Sequence, residues 1–79
     1  MLQLKIVSPE KVVYDGLAES VLAPGTLGQF EVLTDHAPIV STLEKGQLVY
    51  RTTEGEESLA IEGGFLSVKK NEVKVCVEI

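Results

Sequence analysis

The sequence predicts an all-β domain, a flattened two-sheet β-sandwich or barrel in which residues 1–79 form one unit. Apolar residues recur at a spacing of two far more often than at three and four, the mark of half-buried strands. Turn-forming residues interrupt the chain at short intervals, which suits many short strands. No window of about eleven residues is free of Gly, Pro or a β-branched run, so a helix has nowhere to form.

The strands follow in order. Leu2, Leu4 and Ile6 alternate with Gln3 and Lys5 and open the chain with an extended segment to Val7. Ser8-Pro9-Glu10 turns it. Val12 to Tyr14 is the next extended piece, closed by Asp15-Gly16, and Leu17 to Ala23 follows, closed by Pro24-Gly25. Phe30 to Leu33 and Ile39 to Leu43 flank the loop around Asp35-His36-Ala37-Pro38, where Pro38 pushes Ala37 toward an extended conformation. Lys45-Gly46 leads into Gln47 to Thr53. After the Glu54-Gly55 turn, Leu59 and Ile61 alternate with Ser58 and Glu62. Gly63-Gly64 reads as a tight turn before Phe65 to Lys69, with Phe65 a core aromatic. Lys70-Asn71 precedes Val73, Val75 and Val77, which alternate with Lys74, Cys76 and Glu78.

A chain of 79 residues buries only about 60% of the surface its unfolded form exposes, so its apolar residues are committed to one core. Function is therefore sought on loops and outer surfaces. The formal net charge is −5, from 12 acidic and 7 basic residues, and Arg51 is the single arginine. Phosphate backbones are gripped by clustered Lys and Arg, so nucleic acid is not an expected partner. Scattered lysines, with Lys69-Lys70 as the one adjacent pair, give no polybasic segment for anionic lipid. One cysteine and one histidine cannot make an internal disulfide or a Cys/His zinc site, so no metal is expected and a reducing compartment fits. No leader pattern precedes Leu2, and no apolar run approaches the roughly 20 residues that span a bilayer.

Reactive groups are sparse. His36 is the only general base of suitable intrinsic pKa, and no nucleophile elbow or catalytic cysteine signature accompanies it. Gly25-Thr26-Leu27-Gly28 lacks the Lys-Ser/Thr of a phosphate-cradling loop. No catalytic residue, enzymatic activity or cofactor is expected. Two readings of His36 stand open: an imidazole that pins its loop by bonding a backbone group, and a contact to a partner. Cys76 reads as a small hydrophobe tucked at a sheet edge, and Glu54, Glu56 and Glu57 as a solvated hairpin tip.

Gly28-Gln29-Phe30-Glu31-Val32-Leu33-Thr34-Asp35-His36-Ala37-Pro38 resembles the glycine-to-His-Ala-Pro segment of the epsilon subunit of F-type ATP synthases. The likeness extends through Ile6-Val7-Ser8-Pro9-Glu10 and Tyr14-Asp15-Gly16 upstream. Downstream it takes in Leu43-Glu44-Lys45-Gly46, Gly63-Gly64-Phe65 and Asn71-Glu72-Val73-Lys74-Val75. It covers essentially the whole chain, in family order.

This resemblance implies a non-catalytic rotor subunit of the central stalk. Such a subunit fastens the gamma shaft to the membrane-embedded ring of c subunits and couples proton flow to ATP synthesis. Its implied setting is the cytoplasmic face of a bacterial inner membrane, peripheral and held through the complex. By the same resemblance Ser8, His36, Ala37 and Pro38 lie toward gamma, while Gln29, Phe30, Glu31 and Asp35 face the c-ring. Glu31 stands where the family usually has a second glycine, and Gln29 stands at the family's acidic ring contact, so either could carry that contact. Most members continue into a C-terminal helical region that in bacteria can restrain ATP hydrolysis and sometimes binds ATP. These residues hold no counterpart to that region, so neither property is expected of them. The alternative is a lipoyl- or biotinyl-type carrier domain, also flattened β, with Lys45 as the modified lysine.

Overall fold

The computed structural model describes residues 1–79, all in strands and their connections. Nine strands form: β1 Leu2–Val7, β2 Val12–Ala18, β3 Ser20–Gly25, β4 Gly28–Val32, β5 Ile39–Leu43, β6 Gly46–Thr52, β7 Gly55–Ile61, β8 Gly63–Lys69 and β9 Glu72–Glu78. Hydrogen bonding runs in the order β2-β1-β9-β8-β5-β3-β6-β7, with β4 beside β3. The link between β5 and β3 is a single residue pair, Gly25 with Leu43, reinforced by the Thr26 amide on the Thr42 carbonyl and the Glu44 amide on the Pro24 carbonyl. The path folds at that seam. One layer is β2-β1-β9-β8-β5 and the other β4-β3-β6-β7, which gives the expected flattened sandwich, 26 × 25 × 18 Å.

Alternation decides what the layers bury. Leu2, Leu4 and Ile6 from β1, Leu66 and Val68 from β8, and Val73, Val75 and Val77 from β9 point inward against Val21, Ala23, Val32, Leu48, Tyr50 and Ile61 of the second layer and its connections. The first and last strands, β1 and β9, are parallel neighbours at the middle of the first layer. At the open side, β2 approaches β6 through Tyr14 and Tyr50, whose ring centroids lie 4.9 Å apart and tilted by 44°.

Three glycine-bearing pairs read as turns turn out to lie within strands. β2 runs straight through Asp15-Gly16; a Cβ at Gly16 would sit 3.1 Å from the Tyr14 hydroxyl, so the glycine makes room for that ring. The real break after β2 is Glu19, where the chain crosses between layers and its amide bonds the Arg51 carbonyl. Pro24-Gly25 ends β3, and the turn falls one step later at Thr26-Leu27, because Gly25 must receive the Phe30 ring, whose nearest atom is 2.8 Å from where a Cβ would be. Gly63-Gly64 opens β8. There Gly64, at φ 149°, admits the Cys76 carbonyl of β9 into the space of a side chain. Phe65 consequently faces outward and is half exposed, not a core aromatic. Cys76 is outward as its parity requires, but β9 is an interior strand between β1 and β8, so the thiol is not at a sheet edge. Lys70 and Asn71, both at positive φ, make the two-residue hairpin turn between β8 and β9.

Candidate functional site: two outer faces

The residues singled out in the sequence separate onto opposite layers. Gln29 and Glu31 project from β4 on the outer face of the second layer, opposite Pro24 and Leu22. Phe30 alternates with them and packs inward against the core over Gly25, so it is not the apolar centre of an exposed contact. The exposed apolar residue of this region is Leu27, fully accessible at the β3–β4 tip. Two bonds hold that tip rigid: the Thr26 and Thr42 hydroxyls lie 2.7 Å apart, and the Thr26 amide reaches the Thr42 carbonyl at 3.1 Å. A signal for Leu27 existed in the sequence, since an apolar side chain in a two-residue turn between paired strands has no face to hide on.

Asp35 belongs to a different place, the turn between β4 and β5. It adopts φ 64°, and it is clasped to the β8–β9 turn. Its amide donates to Asn71 Oδ1 at 2.6 Å, and Asn71 Nδ2 donates to Asp35 Oδ1 at 3.1 Å. His36 is half-buried beside it, with its amide on the Leu33 carbonyl at 3.1 Å. Its Nδ1 lies 2.7 Å from the Ala37 carbonyl oxygen, a pairing that requires the proton on Nδ1. The imidazole therefore pins its own loop, and Nε2 makes no hydrogen bond. The sequence shows Asn71 as a turn residue but not as the partner of Asp35, which lies 36 residues away from it.

Ser8 ends up far from His36. It closes β1, with its amide on the Lys11 carbonyl at 2.9 Å and its hydroxyl accepting from the Lys11 amide at 3.3 Å. Gln3, at the other end of β1, lies beside Asn71, so at about 3.3 Å per residue Ser8 is roughly 15 Å along the strand from the His36 loop. Yet both stand at the rim of one surface, the outer face of the first layer. Ser8 adjoins Val7, and Pro38 adjoins Ile39 and Val40.

Between these corners the pairing lays out rows. Val7, Cys76, Phe65 and Thr42 form one, across β1, β9, β8 and β5. Lys5, Lys74, Ser67 and Val40 form the next. Val40 is 80% exposed and Phe65 50% exposed, unusual for apolar side chains on neighbouring strands. The surface carries shallow hollows. One of about 300 Å³ is bounded by Val7, Ser8, Pro9, Phe65 and Cys76, and one of about 450 Å³ by Pro38, Val40, Ser67 and Lys69.

Nothing gathers for chemistry. No three of His, Cys, Asp and Glu converge as metal ligands, and the one marked pKa perturbation, at Tyr50, lies at the open side where β2 approaches β6. Lys45 sits in the β5–β6 turn with its ammonium 3.9 Å from Glu62.

The family model described as the β-sandwich domain of the ATP synthase delta/epsilon chain matches residues 1–79. The ATP synthase epsilon chain of Leptospira borgpetersenii serovar Hardjo-bovis is 40% identical over 77 residues, which is 98% of this chain and 61% of that one. The chloroplastic epsilon chain of Tetradesmus obliquus is 43% identical over 74 residues, 94% of this chain and 54% of that one. This chain thus spans between about half and two thirds of those relatives' length. A chain in the Euglena gracilis mitochondrial ATP synthase, resolved with its OSCP, F1 and c-ring, superposes with a TM-score of 0.89 at 20% identity over 96% of this chain and 49% of that one, a likeness of fold. The carrier-domain alternative at Lys45 finds no support in these relationships.

Proposed function

The chain belongs to the ATP synthase delta/epsilon β-sandwich family, and from that premise we propose that it is a non-catalytic rotor part of the central stalk, docking on the gamma shaft through the outer face of its first layer. The observation that carries this reading is the outward apolar strip of exposed Val40 and Phe65 with half-buried Cys76 and Val7, bracketed by Ser8 and by His36, Ala37 and Pro38. Burying a Phe or Val that an isolated domain leaves in water is worth about 1.5–3 kcal/mol for each full side chain. Rigid corners on either side fix the orientation, as a torque-bearing contact requires.

The second layer supplies the other grip. Gln29 and Glu31 on β4, with Leu27 at the adjacent tip, face the c-ring in this proposal, and Asp35 acts on the opposite end as the brace of the His36 loop. The complex would hold the domain at the cytoplasmic face of a bacterial inner membrane, peripheral to it.

Cys76 is the only thiol and lies in the middle of the shaft-facing strip, so it reports on docking directly. Adding purified gamma subunit should slow its alkylation by at least about tenfold, as burial of a hot-spot centre excludes reagent and water. Unchanged alkylation with gamma at micromolar concentration rejects the proposal.

A further inference from the structure

Lys5 and Lys74 are direct partners in the parallel pairing of β1 and β9, both exposed on the outer face. They line one hollow of about 200 Å³ together with Val7, Val75 and Cys76. Neither ammonium makes an ion pair: the two in the structure are Lys45 with Glu62 and Arg51 with Glu56. The charged groups around them are Asp15, opposite Lys5 on β2, and the Glu72–Lys69 pair one row on. Like charges placed directly opposite weaken a sheet, and Asp15 offsets this at Lys5 only, which leaves Lys74 between Lys5 and the uncharged Ser67. The two lysines are also the one paired cationic spot on a face of a chain whose net charge is −5.

We propose that Lys5 and Lys74 together receive a carboxylate of the gamma subunit, carried on a segment whose apolar ridge lies along Val7, Cys76 and Phe65. This rests on the shaft-docking reading above and adds the chemistry that sets its partner. The neighbouring row selects the source of the anion. Val7, Cys76 and the half-exposed Phe65 adjoin the lysine pair, so the occupant must bring apolar surface and negative charge side by side. A free phosphate brings no apolar surface, and an anionic membrane is repelled by the domain's net charge. An amphipathic protein segment with an Asp or Glu beside its apolar ridge fits both rows. Two ammoniums sharing one carboxylate also fix register along the strands, which an apolar strip alone does not.

The test measures binding of full-length gamma to the wild-type chain and to three variants: K5E/K74E, K5R/K74R and Val40→Asp. In about 50 mM salt the charge reversal should weaken binding by at least about tenfold, while K5R/K74R keeps it within about twofold. In about 500 mM salt the gap between wild type and K5E/K74E should close, because screening removes the attraction. The melting temperature of K5R/K74R should match that of the wild type, while K5E/K74E, whose reversal at Lys5 faces Asp15, melts somewhat lower, so binding is measured well below its unfolding range. If Val40→Asp weakens binding but K5E/K74E does not, the face docks without a carboxylate and the inference is overturned alone. Should neither variant matter, the docking reading falls and takes the inference with it. Binding of the wild type to phosphatidylglycerol vesicles, lost in K5E/K74E while gamma binding is unchanged, overturns it in favour of a lipid headgroup.

Discussion

Asn71 does two jobs at once. Its backbone, at φ 62°, closes the β8–β9 hairpin, while its amide group clasps Asp35 and so braces the loop that carries His36, Ala37 and Pro38. Asn71→Gly separates the two, because glycine accepts the same backbone and lacks the clasp. We expect a loss of about 1 kcal/mol in stability, the net worth of exposed hydrogen bonds, with faster hydrogen exchange at the Asp35 amide. An unchanged exchange rate at Asp35 counts against the brace. The sequence displayed Asp35 and His36 as loop residues, but the partner of Asp35 lies across the fold, where no local pattern points.

Among the strands, legibility followed regularity. β1 and β9 announce themselves by strict alternation, and β5 coincides with its expected span Ile39–Leu43. By contrast, β7 shows alternation only from Ser58 and begins earlier, at Gly55, so Glu56 and Glu57, read as part of a hairpin tip, pair with Arg51 and Tyr50 inside the strand. The glycines misled because one residue type serves two purposes, positive φ in a turn and absence of a Cβ within a strand. At Gly64 both reasons apply inside β8, where the Cys76 carbonyl of β9 occupies the side-chain space. Gly64→Ala should therefore break the β8–β9 pairing, costing about 3 kcal/mol or more and lowering the unfolding midpoint accordingly. A variant with wild-type stability is incompatible with this close approach.

Across the whole molecule, the layers are joined at one side by the Gly25–Leu43 seam and meet at the other through Tyr14 and Tyr50. Burial raises the Tyr50 pKa above its ordinary 10.0, and the nearby Glu57 carboxylate and Tyr14 push the same way. The folded state therefore holds the phenol proton more tightly than the unfolded chain does. Its contribution is complete below the unfolded pKa and is lost as pH rises through the folded one. The melting temperature should fall as pH climbs past about 10, and Tyr50→Phe should flatten that fall. Equal slopes for variant and wild type place the alkaline transition elsewhere.

The sequence alone determined the strand class, most strand positions, the inward set of apolar residues and the family resemblance, because a period of two and an ordered run of motifs are properties of neighbours along the chain. Only the tertiary structure decided which outward residues share a surface. The parallel pairing of β1 with β9 sets Val7 beside Cys76 and Lys5 beside Lys74, and the pairing of β8 with β5 adds Phe65 and Val40. Those neighbours are chosen by hydrogen bonds between distant segments and by burial of the opposite face of each strand. Alternation says which side a residue takes, but not whom it meets there.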